Sequence, residues 1–490
     1  MTITLAVALV AAACGDDGDS NEADSTSDGT GDDGGADGDD GSADSSDDDM
    51  ADDMADGDTA DDDMADDGSA TDDADDDMGD DGGEGPEQDW VTHNVPADYD
   101  TIQAAVDAAA PGDLVLIDEG VYHEAVVVQT DNIVIRGVDR NTVILDGEHA
   151  EGFENGVIVF SNGVAVENLT VRNYSGNGLF WTGDYGSDII VDGYRASYVT
   201  AHNIGVYGMY AFNAENGQID NAYAGGSDDS SFYIGQCNPC NALLYNVEGE
   251  NSQLGYSGTN STGTTIVGSH FHDNMIGVVP NSQDGEELAP NAGTTIVGNL
   301  IENNNNRAVP SRNTGFQTGV GSGVILAGTT DNIVERNTIV GNERAGVLIL
   351  DWIAAILGGN TDYLAMDNTV RDNIISGSTL DADLLVAPQD PTRGGLGNCF
   401  AGNTFDTSTP ADAETVLPCD GEDTAQLLGL TELLDRFSLE PFEPVDYKDI
   451  PAPELAFETM PGDPRTDPPL PAIDVPMAIN LDDFTAPPVP

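Results

Sequence analysis

Basic residues are nearly missing from this chain. Lys and Arg together number 13 against 91 Asp and Glu, giving a formal net charge of −78 over 490 residues. Lys448 is the only lysine, and no basic side chain precedes Arg136. Phosphate backbones are bound through a basic face, so nucleic acid is excluded as a partner. An acidic polymer such as polygalacturonate or alginate is repelled too, unless a divalent cation bridges the two; calcium is therefore the one cofactor the composition suggests. Neutral glycans meet no such barrier. Cysteine is also scarce, with five in the whole chain.

From Gly15 to Asp89 the sequence is almost entirely Asp, Gly, Ser and Ala with Asp-Asp-Met repeats. Such a segment buries too little apolar surface to offset its ordering entropy, and disorder is expected. It reads as a self-repelling tether of roughly 50 Å or more. A calcium sponge is the alternative, but flexible carboxylates without fixed geometry make a poor site.

Ahead of the tether stands MTITLAVALVAAAC. The apolar run ending in small residues before Cys14 resembles a bacterial lipoprotein signal. That likeness implies cleavage before Cys14, lipidation of the cysteine, export, and membrane contact through the lipid alone. Two features depart from it: Ala11 stands where the family prefers Leu, and no Lys or Arg precedes the apolar run. In an exported chain the remaining four cysteines pair as Cys237–Cys240, within QCNPC, and Cys399–Cys419, around the last repeat. A zinc site at Cys237 and Cys240 is the rival, but it lacks a second C-x-x-C or a closely spaced His pair in frame.

The folded part opens with TIQAAVDAAAPGDLVLIDEGVYHEAVVV. Ile102, Ala105, Val106 and Ala109 form one apolar stripe, with Asp100 as cap and Gln103 completing a capping box. Pro111-Gly112 ends this helix, and short β-branched runs follow, including IVIRG and ILDG. The segment resembles the opening of right-handed parallel β-helix proteins, a superfamily of pectate lyases, pectin methylesterases, polygalacturonases and alginate epimerases. The likeness continues as repeats to about Phe405. It implies an all-β solenoid over 90–409 with an N-terminal capping helix, followed by a C-terminal cap and Pro-rich extended tail over 410–490.

The repeats themselves are visible as VAVENLTVRN, ALLYNVEGEN, TTIVGSHFHDN, TTIVGNLIENN, NIVERNTIVGN and NTVRDNIISGS. From the second onward they recur roughly every 23 to 38 residues, as solenoid coils with insertions do. Asn168, Asn246, Asn299, Asn337 and Asn373 recur at one position, and Asn251, Asn274, Asn304 and Asn342 at another. Both sets are expected to be structural ladders rather than ligands. Insertions at Ser282–Gly293, Asn306–Gly323 and Asp351–Asp367 are expected to wall a binding face.

Three groups could carry chemistry. In SHFHDN, Phe271 matches core positions Ile301 and Ile339, which turns His270 and His272 outward roughly 7 Å apart. Glu302 then stacks roughly 4.8 Å from His272 in the next coil. With Asp273 these residues can do acid–base work or hold a metal, or can simply be a solvated face. Second, Asp228-Asp229 with Tyr233 faintly resembles the paired aspartates of polygalacturonases, although Asp-Asp in a loop is also ordinary turn chemistry. Third, Arg307 and Arg312 are the only basic residues between Arg195 and Arg336, and either could neutralise a uronate or anchor its loop. Tyr256 and Asn281 complete the expected groove, and Tyr207, Tyr210, Trp181 and Trp352 supply further aromatics.

Most of the superfamily's reaction motifs are absent: the His-Gly and Arg-Ile-Lys of polygalacturonases, the Arg-Pro of pectate lyases, the Asp-Pro-His of epimerases, and the esterase Gln and Asp motifs. The expectation is an exported, lipid-anchored, monomeric β-helix at the cell envelope that binds and processes a polysaccharide as a lyase, hydrolase or epimerase. Its rival is a non-catalytic structural or adhesive solenoid.

Overall fold

The computed structural model describes residues 90–183, 189–284, 286–312, 314–354, 359–437, 442–453 and 456–490. The expected signal with Cys14 and the acidic stretch 15–89 lie outside the described residues.

A run of three or four β-branched residues cannot bury itself alone. Here each run pairs with its counterpart in the next coil, and successive strands along the chain join successive sheets. The result is three parallel sheets of 12, 11 and 10 strands. In chain order within a coil these are called the first (12 strands), second (10) and third (11) sheets. This is a parallel β-helix. Inward positions form continuous columns, such as Val115, Ile135, Val166, Ala196, Ile219, Leu244, Ile266, Ile296, Val334, Val370 and Phe400 in the first sheet. All are buried in one core, and each large side chain there contributes about 1.5–3 kcal/mol.

Helix α1, Ile102–Ala108, lays Ile102, Ala105 and Val106 on the first coil. Its cap is Thr101, whose hydroxyl accepts from the Ala104 amide, and not Asp100. The Glu124 carboxylate takes the next two amides, of Ile102 and Gln103. Gln103 is thereby freed from a capping box and instead exchanges two hydrogen bonds with the Val127 backbone. At the other end α2, Ala413–Val416, sets Ala413 into the same core, tied by the Cys399–Cys419 disulfide. Helix α3, Leu430–Arg436, packs elsewhere, on the outer face of the third sheet.

Asn side chains stitch the corners. Asn299, Asn337, Asn373 and Asn403 pass amide hydrogen bonds from coil to coil at 2.9–3.0 Å. Asn274, Asn304 and Asn342 do the same at 3.0 and 3.1 Å. Asn332, Asn368 and Asn398 form a third ladder. Asn168, Asn246 and Asn251, expected in these two sets, stand one position earlier and join neither ladder. They hold left-handed corners with φ of 56°, 52° and 53°, a conformation Asn tolerates better than most residues.

The Pro-rich C-terminal segment lies extended on the outside of the solenoid. Asn141 clasps the Phe457 backbone twice, and Arg140 donates to the Glu458 carbonyl. The buried Arg136, paired with Glu167 at 2.7 Å, donates to the Asp467 carbonyl at 2.8 Å. Ile479, Leu481 and Phe484 then cover Leu243, Val267 and Val297 on the first sheet. Among the described residues no helix is long and apolar enough to cross a membrane.

Candidate functional site

Outward residues of the third sheet change character along the axis. From Ile276 onward they are apolar and covered: Ile276, Val279, Ile325 and Leu348 pack under Phe316 and Trp352 from the insertions and under Leu430, Leu433 and Phe437 of α3. A cavity of about 60 Å³ remains beneath that cover. Toward the N-terminus the face is open among the described residues, and its outward row is Ile158, Phe180 and Tyr210, each half-buried. Phe180 and Tyr210 stack at 4.4 Å with 11° between ring planes. Tyr207 and Tyr233 close the row against Tyr210 at 4.4 and 4.9 Å.

Where this row meets the covered half, two insertions reach in. Tyr233 donates to Glu286 at 3.3 Å from one side. From the other, the Arg312 amide donates to the Asp228 carbonyl at 2.8 Å, and Gln253 donates to Ser311. Asp228 and Asp229 occupy the corner between Tyr223–Ser227 and Ser230–Gly235. Burial pushes the Asp229 carboxyl up to about 7, with Asp228 adding to the rise and Arg312 opposing it. Asp228 is pushed up to about 6 by the same burial, and Arg312 again opposes. A carboxyl poised near neutrality beside a guanidinium can deliver or take a proton. Asp229 is only 1% exposed, so of the two Asp228 is the one a ligand could reach.

The second sheet carries a separate cluster. His270 and His272 flank Phe271 in the register Phe271–Ile301–Ile339, and both turn outward. Their rings stack at 4.1 Å, closer than strand spacing alone implies. Glu302 is level with His272 in the pairing, yet its carboxylate meets His270 Nε2 at 3.0 Å, a diagonal contact. His272 is instead held by Glu248 at 3.2 Å and Asp273 at 2.8 Å. Burial lowers the His272 pKa, but these two carboxylates override it and raise it to about 9. Burial and the neighbouring imidazole lower that of His270.

The remaining expected residues lie apart. Arg307 pairs with Glu343 at 2.6 Å on an exposed corner and does not reach the imidazoles. Tyr256 points inward, level with Phe232 and Val278, and is fully buried in the core, so no ligand meets it. Asn281 is buried and bonded to Thr259 and the Val279 carbonyl at the rim of the apolar cavity. Trp181 and Trp352 are buried as well. Cys237 and Cys240 are joined as a disulfide.

Glu248 and Glu250 were missed by sequence reasoning, although a signal existed. Laying VEGENS beneath SHFHDN puts Glu248 level with His270 and Glu250 level with His272. Glu286 carried no such signal, because it belongs to an insertion with no counterpart in other coils.

No protein-family profile matches the sequence, and no curated protein matches it. Among solved structures, the chain is similar to the A-module of mannuronan C-5 epimerase AlgE4 from Azotobacter vinelandii. Identity is 17%, with 62% of this chain and 90% of that one covered and a TM-score of 0.48. It is also similar to the catalytic unit of a GH87 α-1,3-glucanase from Streptomyces thermodiastaticus, at 15% identity, 62% and 66% coverage and a TM-score of 0.44. An alginate lyase from Paenibacillus sp. matches at 12% identity over 64% of this chain and 99% of that one, with a TM-score of 0.36. These likenesses carry no functional argument.

Proposed function

We propose that this chain binds a polysaccharide along the open part of the third sheet, with the reducing or non-reducing run of sugars ending against the Asp228–Arg312 corner. One observation carries this reading: the aromatic row of Phe180 and Tyr210 leads directly to a carboxyl pair and a guanidinium. Sugars present apolar C–H faces and hydroxyls together, and a site pairing rings with a few fixed polar groups suits both. A polymer lying along the axis meets an equivalent outward position every coil, roughly each 4.8 Å. The acidity of the chain favours a neutral glycan, or an acidic one bridged by calcium. Two disulfides fit an oxidising compartment, and a lipidated Cys14 with the 15–89 tether would hold the domain at the cell envelope.

Binding without turnover is the second reading, favoured by the sealing of Asp229. Glycoside cleavage by the two-carboxylate route requires both groups to reach the scissile bond. A glycan array of the purified chain, with and without calcium and scored for binding and for product release, tests both. Retained glycan supports the groove, and product lost in Asp228→Asn assigns chemistry to it. Retention of no glycan in either condition contradicts the proposal.

A further inference from the structure

On the second sheet the strand Glu248–Glu250 lies beneath His270–His272 in parallel register, so four outward side chains of two coils share one patch. One oxygen of Glu248 and one nitrogen of each imidazole lie within 4.8 Å of one another. We propose that Glu248, His270 and His272 form a binding site for a zinc-class divalent ion, distinct from the polysaccharide groove.

The donor set selects the metal. Two imidazoles and one carboxylate suit zinc and its first-row neighbours, whereas calcium takes six to eight oxygens. Spacing agrees with this. The contact between His272 Nε2 and Glu248 Oε1 is 3.2 Å, and tetrahedral zinc with bonds near 2.0 Å separates its ligand atoms by roughly 3.3 Å. Orientation is supplied by a further ring of carboxylates. His272 Nδ1 faces Asp273 at 2.8 Å and Glu250 at 3.7 Å, which directs Nε2 toward Glu248. His270 is held by Glu302 at 3.0 Å. Such carboxylate–imidazole contacts fix ring position and tautomer at metal centres.

Charge supplies a second, independent observation. Glu248, Glu250, Asp273 and Glu302 crowd around this patch, and among the described residues their only ion-pair partners are the two imidazoles. Among the described residues no Arg or Lys stands within ion-pair distance of them, and Arg140 acts on Glu248 only from farther off. A divalent cation would supply the missing charge. Access is open, since the His270 side chain is 34% exposed and that of Glu248 44%. Three protein ligands leave at least one coordination position for water. Because the ligands come from adjacent rungs, the ion would also cross-link two coils.

The test is a titration of the full chain, stripped with chelator, using zinc chloride and separately calcium chloride, followed by calorimetry. Carboxylates of the Asp-rich N-terminal stretch add weak sites, so every comparison is made on the same chain. The expected result is one tight zinc site per chain, absent for calcium and absent in a His270→Ala/His272→Ala double variant. Asp273→Asn, which leaves all three ligands in place, should weaken zinc by roughly 10- to 100-fold. Cobalt(II) loading should give the visible spectrum of imidazole-bound metal in the wild type only. Should the double variant misfold, anomalous diffraction from zinc-soaked wild-type crystals must still show a peak between Glu248, His270 and His272. No such peak, or a tight site that survives the double variant in folded protein, overturns the proposal.

Discussion

Replacing Asp229 by Asn should stabilise this protein at neutral pH and leave its stability almost unchanged in acid. Burial raises the Asp229 carboxyl from 3.8 to about 7. A raised carboxyl binds its proton more tightly folded than unfolded, so its contribution is fully present below about pH 4. It is lost as pH rises toward 7, because only the unfolded chain gains from ionisation in that window. The shift from 3.8 to about 7 is roughly 3 units, which at 1.36 kcal/mol per unit is of order 4 kcal/mol by pH 8. Asn cannot ionise and escapes this loss. With an unfolding entropy of about 0.8 kcal/mol/K for about 400 ordered residues, the gain corresponds to about 5 °C in Tm. The assay is the difference in Tm between variant and wild type from pH 4 to pH 8, in which any constant cost of burying the amide cancels. A difference that grows with pH is expected. A difference that is flat, or that shrinks toward pH 8, would refute the assignment of a buried, proton-retaining carboxyl.

Asn337→Ala should cost about 3 kcal/mol or more in denaturant unfolding, since it strands the buried Asn299 amides and the Ile296 carbonyl at 1–3 kcal/mol per unsatisfied group. Arg136→Ala should cost about 3 kcal/mol by leaving the buried Glu167 with Arg195 alone. It should also open 464–472 to limited proteolysis before the coils unfold; an unchanged cleavage pattern would argue against Arg136 as the clasp. Replacing Cys399 and Cys419 by Ser frees a 20-residue span and should lower stability by about 3 kcal/mol, read from melting curves in oxidised buffer.

How legible these features were depends on what sets each residue's direction. Phe271, Ile301 and Ile339 could be placed inward from sequence because parallel coils repeat one pattern, and one register fixes every face. The stripe of α1 was equally plain, yet its cap was not: Glu124, which serves Ile102 and Gln103, arrives from the next coil. The Asn positions were one residue ambiguous, because both the ladder site and the left-handed corner before it favour Asn. Tyr233 and Tyr256 look alike in sequence but sit on opposite faces. Tyr233 is level with Ser257, and Tyr256 with the inward Phe232. The His pair was legible as a cluster, whereas its diagonal partners depended on side-chain reach rather than backbone level. The corner joining Asp228 to Arg312 was invisible, since it is made by an insertion folding back across 84 residues of chain (312 − 228).

The central claim is that a polysaccharide lies on the open third sheet. The most direct measurement is a crystal structure of the chain with the longest oligosaccharide retained on the array. Sugar rings along Ile158, Phe180 and Tyr210, with hydroxyls at Asp228 or Arg312, are the expected result. Sugars bound on the first or second sheet instead, with the Phe180–Tyr210 row bare, would contradict it.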